Sequence, residues 1–419
     1  MRLLLVNPNR YRSPPVAPLG LEHVAAAVRD AGHDVDVLDL CFVPEPVAVL
    51  EQHVSKGVYN VAGITIRNVD TALHPGTEYF LDAIKPLVSV ISRAGVPVVL
   101  GGSGFSIDPP SILRAAGGDH GVSGPGSAAM VELLAMLERG ELPPRVMDAV
   151  DFPFVDTVAG PLDPGAWKAY EKNGGVCGFI TQVGCTRHCS YCIEACKQWH
   201  PRRPGTILAE LRGRVDHGIT RFHLCDSEFN VHLSHCKEIL NAMVASPLDM
   251  SWTLYMIPGC ADEETFRLLA KSGATLVTLS VASDRREQRL VGYTMDDVAM
   301  VARWCEEHGI LLAIDLMTGF PGEPLDSIEA AINALATAGA RTVGVNASFR
   351  LYPGTAITGQ VLAFPELHEC LTRPLDPGDD LLEPVFYSRL DAGFLKDLVS
   401  GKPGFRVEGT GTGVNYQRV

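Results

Sequence analysis

The sequence predicts an α/β fold in two parts: an N-terminal Rossmann-like, doubly wound parallel sheet, then a partial (β/α)6 TIM-type barrel. Three observations carry this. Short apolar runs alternate with helical periods twice over, within residues 1–142 and again within 176–360. The connections between them are short, as expected where helices cross over parallel strands. A stretch rich in proline and glycine, 143–175, separates the two series and reads as a linker.

In the first series, 2–6 is an apolar strand, and Leu21, Val24, Ala25 and Val28 repeat at the helical interval before Gly32, which can end the helix. Further strands are expected at 35–38, 61–66, 97–100 and 120–123, with helices at 47–56, 78–93 and 128–137. In the second series the expected strands are 178–183, 221–224, 252–256, 276–281, 312–317 and 342–347. Helices at 207–217, 236–244, 263–272, 296–308 and 325–338 lie between them. Six steps fall short of the eight of a closed barrel, and chemistry is expected at the C-terminal strand ends. Residues 361–419 show no period and read as a C-terminal extension. Within it, Gly409-Thr410-Gly411-Thr412-Gly413 reads as a flexible turn.

Composition narrows the function. A chain of 419 residues fits two or three domains. With 46% hydrophobic and 20% charged residues it can fill a core, which excludes wholesale disorder. A net charge of −14 argues against a nucleic-acid partner. No apolar run approaches about 18–20 residues, so no membrane span is expected. The run Leu3-Leu4-Leu5-Val6 is too short for the core of an export signal, so the expected location is the cytoplasm. There the eleven cysteines read as thiols or metal ligands and not as disulfides.

Cys185, Cys189 and Cys192 stand in the spacing C-x3-C-x2-C directly after the first strand of the second series. Three thiolates can hold three irons of a [4Fe–4S] cluster and leave the fourth iron open. S-adenosylmethionine (SAM) can bind such an iron through its amino and carboxylate groups. The alternative is structural zinc, with Cys196, His188 or His200 as a further ligand. Zinc ribbons pair C-x2-C units across a longer gap, and the second unit is missing here.

With the aromatic Tyr191 before its third cysteine, this segment resembles the signature of the radical SAM superfamily. The resemblance extends over about 176–360. Asp226-Ser227-Glu228-Phe229-Asn230 follows the second strand, where the family holds the methionine amino group of SAM, which implies that role for Asp226 and Glu228. Leu279-Ser280-Val281-Ala282-Ser283 follows the fourth strand and is similar to the family's G-x-E-S segment near the SAM carboxylate and ribose. Its glycine and glutamate are replaced by Ser280 and Ala282; Ser280 and Ser283 are the residues it implies. Gly319-Phe320-Pro321-Gly322-Glu323 matches the family's G-F-P-G-E, implying SAM contacts at Gly319 and Pro321, and Leu351-Tyr352-Pro353-Gly354-Thr355 matches a further signature. Tyr191 is expected to pack near the adenine. Taken alone, Asp226 with Glu228 reads as a solvated turn, and Gly319–Glu323 as a tight turn. The other cysteines, Cys177, Cys225, Cys236, Cys260, Cys305 and Cys370, read as small buried residues.

A Rossmann-like domain ahead of such a barrel resembles the cobalamin-dependent subclass. The residues that carry this are Leu4–Pro8, Pro14-Pro15, Pro18-Leu19-Gly20-Leu21, Gly101-Gly102-Ser103 and Gly124-Pro125-Gly126. They imply cobalamin contacts at Pro18, Leu19, Gly20, Gly101, Gly102, Ser103, Gly124 and Gly126, the glycines letting a large flat corrin approach. These loops belong to the C-terminal edge of the sheet, where open α/β sheets bind ligands. No Asp-x-His-x-x-Gly segment offers a histidine to the lower face of cobalt; Asp119-His120-Gly121 has the wrong spacing. Arg67, just after the third strand, is the candidate for that face. A cation there would oppose a lower water ligand and favour four-coordinate cobalt.

The subclass most often methylates an unactivated carbon. The implied function is C-methyl transfer to a small amino-acid-like or natural-product substrate, with electrons from a donor such as flavodoxin or ferredoxin. One SAM methylates cob(I)alamin; a second yields a 5′-deoxyadenosyl radical that removes a substrate hydrogen, and the methyl group passes to the substrate radical. Rearrangement, cyclisation, non-radical methylation of an indole carbon and cobalamin-independent radical SAM chemistry remain open. An RNA methylthiotransferase relative would carry an N-terminal cysteine trio, and residues 1–150 hold only Cys41. No general base stands out. Tyr255, Asp315, Asn346 and Arg350 fall near strand ends and could face the cavity, but read more plainly as packing or barrel hydrogen bonds.

Overall fold

Four consecutive apolar residues need cover on both faces. In the computed structural model, which describes residues 1–160 and 164–410, β1 (Arg2–Asn7) finds that cover as the second strand of a six-stranded parallel sheet. The sheet continues with β2 (Asp34–Asp39), β3 (Val61–Thr65), β4 (Val98–Gly101), β5 (His120–Ser123) and β6 (Val146–Asp148). Their order is β2-β1-β3-β4-β5-β6, so the winding reverses between β1 and β3. Helices Leu19–Asp30 and Ser127–Glu138 cover one face: Leu21, Ala25 and Val28 pack with Leu133, Leu134 and the strand residues Leu3, Leu5, Val61 and Val99. Pro46–Lys56, Leu81–Arg93 and Pro109–Ala116 are further helices of this part.

The chain divides into two units. The first comprises Met1–Thr71 and Glu78–Val176; the second takes Ala72–Thr77 and the chain from Cys177 onward. Residues 143–175, expected as a linker, instead complete the first unit. They supply β6 and helix Pro164–Lys172. From that helix Tyr170 Oη donates to Asp39 Oδ2 at 2.6 Å, while Asn7 Nδ2 donates to Asp39 Oδ1 at 2.9 Å. A three-residue strand has no readable period, and the prolines that read as breaks lie mostly in its connections. Pro161 lies outside the described residues.

The second unit is a partial barrel. β7 (Cys177–Phe179) is followed by a small antiparallel pair, β8 (Gln182–Val183) with β9 (His200–Pro201). Then come β10 (Arg221–Leu224), β11 (Ser251–Met256), β12 (Ala274–Ala282), β13 (Leu311–Met317) and β14 (Thr342–Asn346). β15 (Phe349–Arg350) and β16 (Phe386–Tyr387) form a second antiparallel pair. The last strand, β17 (Phe405–Val407), pairs in parallel with β14. The main sheet therefore has seven strands, ordered β17-β14-β13-β12-β11-β10-β7, where six were expected. The seventh comes from the extension, whose period three residues are too few to show. Gly411-Thr412-Gly413, the rest of the expected turn, lie outside the described residues.

Alternation sorts the two faces of this sheet. Val277, Leu279, Val281, Ile314, Leu316, Val343 and Val345 are buried toward the helices. Ser280, Asp315, Gly344 and Arg406 are register partners in a row across β12, β13, β14 and β17 and occupy the interior face.

Tyr170→Phe removes a hydrogen bond to a carboxylate. It should lower the stability of the first unit by about 1–2 kcal/mol, read as a reduced urea midpoint with unchanged slope. A linker helix would leave the midpoint where it was.

Candidate functional site

A loop that must hold several groups around one centre needs closed ends. After β7 the chain turns on Gly184 at φ +82°, where a Cβ would stand 1.9 Å from the Gln198 carbonyl oxygen. Only glycine fits. The β8–β9 pairing, Gln182 with Pro201 and Val183 with His200, fastens both ends. Cys185, Cys189 and Cys192 all fall on this one loop. Cys192 N donates to the Cys189 carbonyl at 3.2 Å and Cys196 N to the Arg187 carbonyl at 2.9 Å.

The barrel holds the loop from outside. Ile357 N donates to the Ser190 carbonyl at 2.9 Å, and Ser190 N to Glu287 Oε2 at 3.2 Å. Arg187 donates to the carbonyls of Val231 and Val291 at 3.2 and 3.3 Å. Nothing in the sequence marked Glu287. Glu287 is only an acidic residue in the first turn of helix Arg285–Val291, and its reach to Ser190 spans 97 positions.

Burial is the main cause that pushes all three thiols up, and each is raised further by its neighbours. Cys192 rises to about 11 despite the Glu194 N–H that donates to its sulfur; Cys189 rises further. Three thiols on one loop that cannot ionise alone fit an iron–sulfur cluster, whose positive irons would stabilise the thiolates.

The residues expected around SAM divide by their partners. Asp226 is buried, and burial raises its carboxyl to about 7. Both its oxygens are engaged: Thr181 N donates at 2.7 Å, Gln182 N at 3.3 Å, and Thr181 Oγ1 also donates. Asp226 thus ties the end of β10 to the end of β7. Glu228 differs. Burial raises it to about 8, the Ser280 hydroxyl opposes the rise, and Asp315 adds to it. Its Oε2 has no hydrogen-bond partner among the described residues.

Ser283 donates to the Met317 carbonyl at 3.1 Å and to Glu323, which also accepts from Gly319 N at 2.7 Å and Phe320 N at 3.1 Å. Glu323 therefore fastens the G-F-P-G-E turn from within. The Pro321 carbonyl accepts from Arg286 Nη2 at 2.9 Å. Tyr191 is half-buried against Phe320 and Phe349, with ring centroids 6.0 and 5.8 Å away. Of the other cysteines, Cys177, Cys236 and Cys305 are buried; contrary to expectation Cys260 and Cys370 are half-buried, and Cys225, which follows the last residue of β10 at an open strand end, is exposed.

In the first unit the loops after β1, β3, β4 and β5 lie at the C-terminal edge of the sheet. Pro18 caps helix Leu19–Asp30, with Leu19 and Gly20 in its first turn. Gly20 is exposed and would meet nothing within 4 Å if it carried a Cβ. Gly102 sits at φ +102°, and its Cβ would stand 2.6 Å from the Ile66 carbonyl oxygen. That glycine is required by the β3 loop packed on it, a different reason from the one expected. The Gly101 carbonyl accepts from Ile66 N at 2.7 Å, and Ser103 Oγ donates to the Arg67 carbonyl at 2.7 Å. Gly124 N donates to Ser106 Oγ at 2.8 Å, and Gly126 precedes helix Ser127–Glu138. Arg67 is half-buried near Tyr11, and its guanidinium makes no hydrogen bond or ion pair among the described residues. A half-buried, unengaged cation beside the β1/β3 reversal fits the site of a large ligand.

A closed three-cysteine loop on a partial barrel in one unit, and glycine-bearing loops at the C-terminal edge of a doubly wound sheet in the other, fit an iron–sulfur barrel and a cofactor-binding domain. Residues 179–335 match the Radical SAM superfamily and residues 12–134 the B12 binding domain. The chain thus joins a radical SAM domain to a B12 binding domain, and its cofactors are a [4Fe–4S] cluster, SAM and cobalamin. Tryptophan 2-C-methyltransferase of Streptomyces laurentii is 26% identical over 435 residues, covering 83% of this chain and 72% of that protein. The structure of the radical SAM methyltransferase TsrM from Kitasatospora setae, with cobalamin and [4Fe–4S] cluster bound, superposes with a TM-score of 0.80 at 25% identity. It covers 92% of this chain and 84% of that one. The cobalamin-dependent radical enzyme OxsB shares the fold, with a TM-score of 0.65 at 14% identity over 87% of this chain and 55% of its own. No helix among the described residues is long and apolar enough to cross a membrane.

Two predictions follow from this geometry. Gly184→Ala forces a Cβ into the Gln198 carbonyl, so the reconstituted variant should lose most of its iron in a colorimetric assay while its far-ultraviolet dichroism persists. The second concerns pH. Glu228 holds its proton up to about 8 when folded, against an ordinary value near 4.5. The folded state then binds more protons between those values, so stability falls as pH rises through that window. Glu228→Gln should abolish this part of the fall: in cluster-free protein its gain over wild type should be near zero at pH 4 and on the order of 4 kcal/mol at pH 8, by urea melts.

Proposed function

We propose that this protein is a cobalamin-dependent radical SAM C-methyltransferase whose acceptor is a small amino-acid-like molecule. The observation that carries this is the two-domain similarity to tryptophan 2-C-methyltransferase across 83% of the chain, with both cofactor domains in one polypeptide. When bound, the cluster and SAM supply reductive or polar activation of a methyl-bearing sulfonium, and cobalamin carries the methyl group. Cys185, Cys189 and Cys192 would hold the cluster on the loop that Gly184 and the β8–β9 pair close. Glu228, which has an oxygen to spare, takes the methionine amino group; Asp226, fully engaged, positions the loop beside it. Ser280 orients Glu228. Ser283, Gly319 and Pro321 shape the SAM cleft through the turn that Glu323 fastens, and Tyr191 walls it. In the first unit Pro18, Leu19, Gly20, Gly101, Gly102, Ser103, Gly124 and Gly126 would hold the corrin, with Arg67 as the cation beside it. A small ferredoxin or flavodoxin supplies electrons, which places the protein in the reducing cytoplasm.

The test is anaerobic reconstitution with iron, sulfide and hydroxocobalamin, then turnover with methyl-labelled SAM and each of the twenty proteinogenic amino acids. About four irons and one cobalt per chain, with label on an acceptor carbon, are expected. Iron without retained cobalt would overturn the cobalamin assignment, and SAM cleavage without label transfer would point to a rearrangement or cyclisation. Arg67→Ala should lower cobalt retained after desalting and leave iron unchanged.

A further inference from the structure

The strand that completes the barrel brings a charged pair to its interior. Arg406 on β17 is the register partner of Gly344 on β14, which pairs with Asp315 on β13 and, beyond it, Ser280 on β12. Glu408, just past β17, continues the pairing, its N–H donating to the Val345 carbonyl at 2.9 Å. Its carboxylate folds back over Gly344: a Cβ there would stand 2.2 Å from Glu408 Oε1 and 3.3 Å from Arg406 Nη2. Only a glycine leaves this space to the pair. Arg406 Nη1 donates to Thr342 Oγ1 at 2.8 Å. Arg406 Nη2 stands 2.6 Å from Glu408 Oε1 as an ion pair. Yet neither Nη2 nor Nε makes a hydrogen bond among the described residues, and both atoms are buried. The two side chains are 14% and 19% exposed, so the pair is neither sealed in the core nor free in water. An adjacent guanidinium and carboxylate, with donors unspent, are complementary to an adjacent carboxylate and ammonium.

We propose that Arg406 and Glu408 form the head-group site for a free α-amino acid: Arg406 receives its carboxylate and Glu408 its ammonium. This rests on the reading of the acceptor as a small amino-acid-like molecule and specifies it. The zwitterion inserts into the existing ion pair, so no charge enters the barrel uncompensated. The substrate side chain then extends from the β14–β17 side along the row toward Asp315 and Ser280. A peptide or an acylated amine, whose amide nitrogen carries no charge, is excluded.

The test is a binding experiment on the reconstituted holoenzyme, without turnover. The twenty proteinogenic amino acids are titrated calorimetrically in the presence of S-adenosylhomocysteine. At least one should bind, and its N-acetyl derivative and its carboxamide should each bind about tenfold more weakly or worse. Arg406→Gln should make the acid and the carboxamide bind alike. Glu408→Gln should make the free and N-acetylated amines bind alike. Both variants should retain S-adenosylhomocysteine affinity and the cluster absorbance. The proposal is overturned if no amino acid binds, if the blocked analogues bind as tightly as the parent, or if the variants weaken S-adenosylhomocysteine equally. The analogue comparison uses wild-type protein, so a variant that fails to fold does not remove the test. Binding as expected without label transfer during turnover would sink the methyltransferase reading and leave the head-group site standing.

Discussion

Three thiols held on one short, half-buried loop cannot all ionise without a counter-charge, and the second unit is arranged around that constraint. Burial and nearby negative charge keep Cys185, Cys189 and Cys192 protonated on their own. An iron core would reverse the balance, so cluster binding would also release protons. The loop is prepared for this before any metal arrives. Gly184 closes it, β8 and β9 clamp it, and Glu287, Ile357 and Arg187 fasten it to three separate parts of the barrel. Such preparation lowers the entropy lost when the cluster is taken up.

The carboxylates near this loop show how one residue type serves two ends. Asp226 and Glu323 are buried with hydrogen bonds to backbone N–H groups, which makes them braces between segments. Glu228 is raised by the same burial but keeps an oxygen without a partner. A buried acceptor left unmade is unfavourable, and a structural role alone would not maintain it. The difference between brace and ligand is therefore set by who donates to each carboxylate, which no spacing in the sequence reveals.

Much of the frame was legible in the sequence because it rests on local patterns. The barrel strands β10 to β14 are continuous apolar or alternating runs of four to nine residues, long enough for a period to show. The three cysteines and the Gly319–Glu323 turn are contiguous, so their spacing survives in one dimension. What escaped was short or distant. β6 and β17 have three residues each and become strands only by pairing. Glu287 acts across 97 positions and Tyr170 across 131. Gly102 was legible as important but for another reason, since its neighbour is the Ile66 carbonyl, a contact made by the fold itself.

The charged pair on β17 belongs to the same argument. Replacing a buried ion pair with well-packed apolar side chains is often neutral or stabilising, so stability alone does not account for Arg406 and Glu408 inside a barrel. Nor does strand pairing, which runs through the backbone from Phe405 to Glu408. The exchange of a side chain at Gly344 for empty space carries a further loss, because glycine in a strand interior forgoes packing and adds unfolded-state entropy. Three unfavourable choices on adjacent strands share one consequence: they keep a guanidinium and a carboxylate side by side, partly open, with donor capacity unused. A strand drawn from the end of the chain to supply that pair makes the C-terminal segment part of the site and not an appendage to it.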